Sequence, residues 1–326
     1  MKNLFVRVYG CENLKKNDKY IINQNIVCKK AYKYDNISQN SNKKCGYIFN
    51  EYFNDKYIKN TDLIIKQKAI HSVNELLENS ESKSKPKVDT LFILLHGWGV
   101  DSSMYENISM FLSNFGLVVA PDFCGFGKSE DLDRAYTLND YAIGVIKLVE
   151  LFDYKKLIFV GHSFGARVIF SSINGVVHGG ENISLSPDKI ILTGAAGCKP
   201  RFSLKKYLKI KRYKYLKKKC KNNINIIKKL QKYGSNDYKN IKNEQLRQTF
   251  LNVVNFHQDE FLHKIKCRVL LLFGKLDKET PLYMGRRMNK KIKNSTLKVI
   301  SGAGHFAFLD NYPYFIKCVQ NFLDES

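Results

Sequence analysis

Leu157-Ile158-Phe159-Val160-Gly161-His162-Ser163-Phe164-Gly165-Ala166 is the stretch on which the fold of this chain turns. Its four leading apolar residues form the kind of run found in a strand buried on both faces. A G-x-S-x-G sequence follows at once, and residues 166–173 continue it with helical periodicity. A serine at a sharp strand-to-helix turn sits in strained backbone geometry with its hydroxyl exposed. The residues two before and two after it must be tiny so that strand and helix can approach; Gly161 and Gly165 meet that demand. Ser163 is therefore the candidate nucleophile. The bland alternative, a serine in an ordinary glycine turn, leaves the flanking strand and helix without a purpose.

Outward from this point, short apolar runs alternate with amphipathic stretches between about residues 87 and 197. Strands are predicted at 90–95, 117–121, 156–160 and 189–193, parallel and joined by helical crossovers, which is an α/β layout. A further strand, 268–273, comes much later. Residues 198–265 interrupt the alternation with helical periodicity and abundant lysine, and read as an inserted helical lid. The expected core is thus 61–197 and 266–326. Residues 1–60 form an N-terminal segment of unknown role, with β-prone pieces at 4–9 and 20–28. The polar stretch 79–87 reads as an exposed loop.

The length of 326 residues, with 44 % hydrophobic and 26 % charged residues, allows a sizeable core and excludes wholesale disorder. Apolar runs stop after a handful of residues, far short of the roughly 18 needed to span a bilayer. Arg7 falls where a secretory leader would continue its apolar stretch, so a cytoplasmic protein is expected. Eight cysteines are scattered, with no CxxC pair and no zinc-ligand spacing, and read as reduced thiols with no metal site. The net charge of +24 suggests an anionic partner. It is carried by lysine in a chain also rich in asparagine, isoleucine and tyrosine, which compositional bias explains equally well. No nucleic-acid module accompanies the charge, and no specific nucleic acid is expected.

A serine hydroxyl is a poor nucleophile until a base takes its proton, and that base needs a carboxylate to hold its tautomer. Of seven histidines, His305 stands out in Ser301-Gly302-Ala303-Gly304-His305-Phe306, between a strand-like run at 297–300 and a helix that includes 315–322. A glycine-flanked loop lets an imidazole reach across to the elbow. His178 and His257, in ordinary polar or helical settings, have no such reason.

With these parts the sequence resembles the α/β-hydrolase superfamily over roughly residues 60–326. The resemblance implies a mostly parallel sheet flanked by helices, with an inserted helical lid and no cofactor. His96-Gly97-Trp98-Gly99 matches the loop that gives one backbone N–H to an oxyanion hole; Trp98 would supply it and Phe164 the second. His96 itself is read as structural, orienting this loop. Pro121-Asp122-Phe123-Cys124-Gly125-Phe126-Gly127-Lys128-Ser129 is similar to the family's D-x-P-G-x-G-x-S loop, with Cys124 where proline is usual. Cys124 lacks the partner histidine or helix N-terminus that would make it a nucleophile. Gly274-Lys275-Leu276-Asp277-Lys278-Glu279-Thr280-Pro281 looks like the acid-bearing loop, and Asp277 fits better than Glu279. The order Ser163, Asp277, His305 is the order of this fold. Relatives that carry aspartate at the position of Ser163, the haloalkane dehalogenases and epoxide hydrolases, are excluded.

The expected activity is a serine hydrolase that forms an acyl-enzyme, on carboxylic esters or thioesters of small to medium acyl groups. A C–C bond hydrolase with the same triad is the enzymatic alternative, and a non-catalytic binding protein on this fold the alternative of another class. Residues 199–232 hold fifteen lysines and arginines and no acidic residue. The bland reading is an amphipathic lid helix with Leu204, Tyr207, Leu208 and Tyr215 packed inward and a solvated lysine face. The functional reading is attraction of an anionic substrate or weak contact with an anionic membrane surface.

Overall fold

The computed structural model describes residues 4–10, 68–70, 85, 87–218, 238, 241 and 243–325. The β-prone piece at 20–28 and most of the loop at 79–87 lie outside the described residues. Ten strands are present among those described: β1 (Val6–Tyr9), β2 (Lys68–Ile70), β3 (Lys87–Leu95), β4 (Leu117–Pro121), β5 (Asp153–His162), β6 (Val176–His178), β7 (Glu181–Ile183), β8 (Lys189–Thr193), β9 (Arg268–Gly274) and β10 (Ser295–Ile300). The helices are α1 (Glu106–Leu112), α2 (Leu138–Val149), α3 (Phe164–Asn174), α4 (Leu204–Lys218), α5 (Glu244–Asn255), α6 (Leu282–Lys291), α7 (Ala307–Asp310) and α8 (Tyr312–Asp324).

Eight strands make one sheet in the order β10-β9-β8-β5-β3-β4-β1-β2, and β6 and β7 pair as a separate hairpin. The six strands from β10 to β4 are mutually parallel. β1 runs antiparallel to both β4 and β2. The sequence reading set residues 1–60 apart from the core, whereas Val6–Tyr9 belongs to the main sheet. Four residues with one charge among them give too short a signal to tell an edge strand from a loop.

Alternation along β3 shows why the buried second halves of the central strands are apolar. Leu91, Ile93 and Leu95 pack with Tyr141 and Val145 of α2 and Ile169 and Phe170 of α3. Phe92 and Leu94 face the other way, into Ile108 and Leu112 of α1 and Phe315, Val319 and Phe322 of α8. Both faces are covered, so neither parity of side chain is polar. The parallel register then brings the C-terminal ends of β3, β5, β8 and β9 to one edge, where open α/β sheets bind ligands.

Between β8 and β9 the chain leaves the sheet after Thr193 and returns at Arg268, and the two ends of this excursion are tied together. Gln258 N–H donates to Gly197 O at 2.9 Å, and the Lys199 N–H donates to Asp259. Arg167 of α3 sits buried with its guanidinium on the carbonyls of Val253 (3.1 Å) and Phe256 (2.6 Å), at the end of α5. A cation at a helix C-terminus meets the negative end of the backbone dipole.

Candidate active site

β5 ends at His162, and the chain turns at Ser163 with φ 49° and ψ −105°. Among the described residues Ser163 alone has a positive φ without being glycine. Such a conformation costs about 1–3 kcal/mol and persists only where its surroundings hold it. Here the Ser163 N–H donates to Thr193 O at 3.2 Å, and Ser163 O accepts from the N–H groups of Ala166 and Ala196, each at 3.2 Å. The flanking glycines are required by space. A Cβ on Gly165 would lie 2.0 Å from Leu95 O, and one on Gly161 2.5 Å from Ile169 Cδ1. Gly165→Ala must therefore push α3 off β3, and a loss of about 3 kcal/mol in urea unfolding is expected, with an unchanged denaturant slope.

Leu95 of β3 is paired with Gly161 of β5, so His96-Gly97-Trp98 runs beside His162-Ser163-Phe164. A Cβ on Gly97 would come within 3.6 Å of Ser163 Cβ and 2.8 Å of His162 Cδ2, which explains glycine there. The Trp98 ring is packed on Phe126 at 4.9 Å, Phe164 at 5.4 Å and Phe250 of α5 at 5.1 Å. His96 is buried, and its Nε2 accepts the Phe123 N–H at 2.9 Å. Its proton is therefore on Nδ1, which donates to Gly97 O at 2.7 Å. Burial holds its pKa down to about 4. With both nitrogens engaged, His96 orients the loop, as expected.

The loop after β4 is organised around Asp122, which is wholly buried. It accepts from Ser102 N (2.8 Å), Ser102 Oγ, Arg7 Nη1 (3.2 Å) and Lys128 N (2.9 Å). A Cβ on Gly127, whose φ is +56°, would fall 2.1 Å from Asp122 Oδ2. Cys124 is buried, as are Cys198 and Cys318, and none of the three is in a disulfide, nor is Cys267. Burial pushes the Cys198 and Cys267 thiols up to about 12, far from reactive thiolates.

Asp277 follows β9 and His305 follows β10. His305 Nδ1 lies 2.8 Å from Asp277 Oδ2, while Asp277 Oδ1 accepts the N–H groups of Glu279 and Thr280, each at 2.9 Å. Burial raises the Asp277 pKa, but the hydrogen bond and charge of His305 and the Thr280 donors outweigh it, leaving it lowered. Asp277 is buried and Glu279 exposed, the latter giving only its backbone N–H. Gly194 (φ +50°) follows Thr193 and packs beneath the imidazole, where a Cβ would lie 3.1 Å from His305 Nδ1. The strand end that holds Ser163 thus also seats His305. His178 is exposed on β6, and His257 lies beyond the end of α5.

Three further residues escaped the sequence reading. His162 packs against His305 with ring centroids 4.6 Å apart and ring planes tilted by 52°, its Nδ1 on Thr193 O at 3.0 Å. Burial, then the neighbouring His305, hold its pKa down to about 3, so it stays neutral. Thr280 and Gly194 are the others. Gly194, directly after a buried strand, was a legible signal.

Residues 92–315 match the model of the alpha/beta hydrolase family. The chain is 25 % identical over 264 residues to a pimeloyl-[acyl-carrier protein] methyl ester esterase from Wigglesworthia glossinidia brevipalpis, covering 71 % of this chain and 92 % of that protein. It is 26 % identical over 240 residues to the AB hydrolase superfamily protein YisY of Bacillus subtilis, covering 67 % and 85 %. In structure it is similar to an esterase from Exiguobacterium antarcticum, with a TM-score of 0.54 at 19 % identity over 73 % of this chain and 95 % of that one. The strand order, the elbow after β5 and the family match over most of the chain agree: the chain belongs to the alpha/beta hydrolase family and is a hydrolase.

Proposed function

We propose that the chain is a serine hydrolase that cleaves carboxylic esters or thioesters of small to medium acyl groups through an acyl-enzyme. The observation that carries this reading is Ser163, held at φ 49° between two glycines that strand–helix packing requires. In the reaction the Ser163 Oγ attacks the acyl carbon while His305 takes its proton. Asp277 engages Nδ1, so Nε2 is the nitrogen that receives it. The N–H groups of Trp98 and Phe164 hold the oxygen on which charge develops. Collapse expels the alcohol or thiol, which takes the proton from His305, and water, activated by the same base, releases the acid. The rings of Trp98, Phe126, Phe164 and Phe250 would bound the acyl group on one side. A fluorophosphonate probe should label Ser163, as read by mass mapping of the modified peptide. Labelling elsewhere, or none, overturns the reading. A panel of esters and vinylogous diketones separates ester hydrolysis from C–C hydrolysis, and binding without turnover of either marks a binding protein.

The basic segment supports a second element of this proposal, with 198–265 as a lid. The inward packing expected of α4 is absent: Leu204, Tyr207, Leu208 and Tyr215 are 62, 42, 55 and 57 % exposed. Lys211 falls in the middle of that stripe, with its ammonium 5.1 Å from the Tyr207 ring, and interrupts the apolar face. α5, not α4, reaches the site, through Phe250. We assign α4 as a contact for an anionic lipid surface, because exposed leucine and tyrosine in a stretch rich in cations and without an acidic residue suit a headgroup boundary. No described helix is long and apolar enough to cross a membrane. With no disulfide among its described cysteines, the chain is assigned to the cytoplasm. Binding to phosphatidylcholine vesicles that contain phosphatidylserine is expected at low salt. It should vanish near 1 M salt, where the Debye length is about 3 Å. Neutralising Lys211, Arg212, Lys214 and Lys218 together should abolish it. No binding, or equal binding to pure phosphatidylcholine, overturns the assignment; salt-sensitive capture of an acidic protein alone would transfer it to that class.

A further inference from the structure

We propose that Thr280 is a positioning residue of this site, donating its hydroxyl proton to the same Asp277 oxygen that holds His305 and so setting how strongly that carboxylate favours a charged imidazole. The inference rests on the reading of Ser163, Asp277 and His305 given above.

The Thr280 Oγ1 lies 2.8 Å from Asp277 Oδ2, 2.9 Å from Gly194 O and 3.2 Å from His305 Nδ1. It has one proton for these neighbours. A carboxylate only accepts, so the proton between His305 and Asp277 belongs to Nδ1, and the hydroxyl proton must choose between Asp277 Oδ2 and Gly194 O. At nearly equal distances the charged acceptor wins, because hydrogen bonds to an ionised group are roughly twice as strong as neutral ones. Thr280 is buried at 5 % exposure, so bulk solvent does not compete for this proton. Asp277 Oδ2 is therefore shared by two donors, while Oδ1 is filled by two backbone N–H groups.

Each donor on a carboxylate spreads its negative charge and weakens its pull on a neighbouring imidazolium. The groups around His305 leave Asp277 as the charge in contact with it. His162, packed against it from the end of β5, is neutral, and Asp310 of α7 accepts the Gly304 N–H at 2.7 Å. Lys275, Lys278 and Glu279 of the β9 loop are exposed. Removing the Thr280 hydroxyl leaves Oδ2 to the imidazole alone, which favours imidazolium and raises the pH at which His305 becomes a free base.

Thr280→Val, which keeps the side-chain shape, is expected to move the acidic limb of kcat/KM upward by about half a pH unit or more and to lower kcat several-fold with little change in KM. Thr280→Ser should restore the wild-type profile. A purely structural role would lower stability without moving that limb. NMR titration of isotopically labelled histidine reads the same shift at His305 without turnover, so it decides the role of Thr280 even if the probe fails to label Ser163. Thr280→Ala serves as a second variant if the valine does not fold. An unchanged His305 titration overturns the proposal. A downward shift also overturns it, since that would mean the hydroxyl proton sits on Gly194 O and the oxygen accepts from Nδ1.

Discussion

Replacing Ser163 with alanine is expected to lower kcat on any ester the wild-type protein turns over by about 10⁴-fold or more, and to abolish probe labelling. The fold should hardly notice, because the Ser163 side chain makes no capping hydrogen bond to α3 and its backbone is held by Thr193, Ala166 and Ala196. Thermal unfolding within a degree or two of wild type, together with the lost activity, would separate chemistry from stability. What remains should be the modest rate that two aligned N–H donors and substrate binding supply without a nucleophile. Turnover near wild type with labelling intact would show that the strained backbone at Ser163 serves some other purpose.

Asp277→Asn is expected to cost about 10⁴-fold in kcat with the geometry nearly preserved. Three donors converge on this carboxylate besides the imidazole: the N–H groups of Glu279 and Thr280 and the Thr280 hydroxyl. An asparagine has one oxygen to offer them. Satisfying the two backbone donors turns its NH₂ toward His305, which can then only accept at Nδ1 and must carry its proton on Nε2. That tautomer faces the serine with a donor where an acceptor is needed. Glu279→Gln makes the control: the side chain is exposed and lends only its backbone, so activity should stay within about two-fold. Equal losses in the two variants would move the acid role away from Asp277.

Much of this was legible because the chemistry demands unusual residues in unusual places. Gly161 and Gly165 announce the elbow since any larger residue would collide with α3 or β3. β4 and β8 were located to the residue because a strand covered on both faces reads as a near-continuous apolar run. β1 was harder: Val6–Tyr9 is short, and its place is decided by Arg7 reaching Asp122, a contact across the chain that no local pattern announces. α4 misled for a related reason. Leucines and tyrosines at helical spacing describe a face, but Lys211 interrupts it, and spacing says nothing of whether anything lies opposite. Thr280 went unread because its importance depends on a carboxylate oxygen, a carbonyl and an imidazole that come from three separate loops.

The pairing of β1 with β4 also has a bearing on how the molecule is made. Arg7 and its partner Asp122 are 115 residues apart, so at about 5–20 residues per second the ribosome delivers the second some 6–23 seconds after the first. For most of that interval Val6–Tyr9 has β2 to pair with but neither β4 nor the buried carboxylate that complete its place in the sheet. The loop around Asp122, whose Phe123 N–H fixes His96, acquires its arginine only when this early-made strand docks. Synthesis therefore completes one corner of the candidate site's framework with a strand made well before the loop it joins.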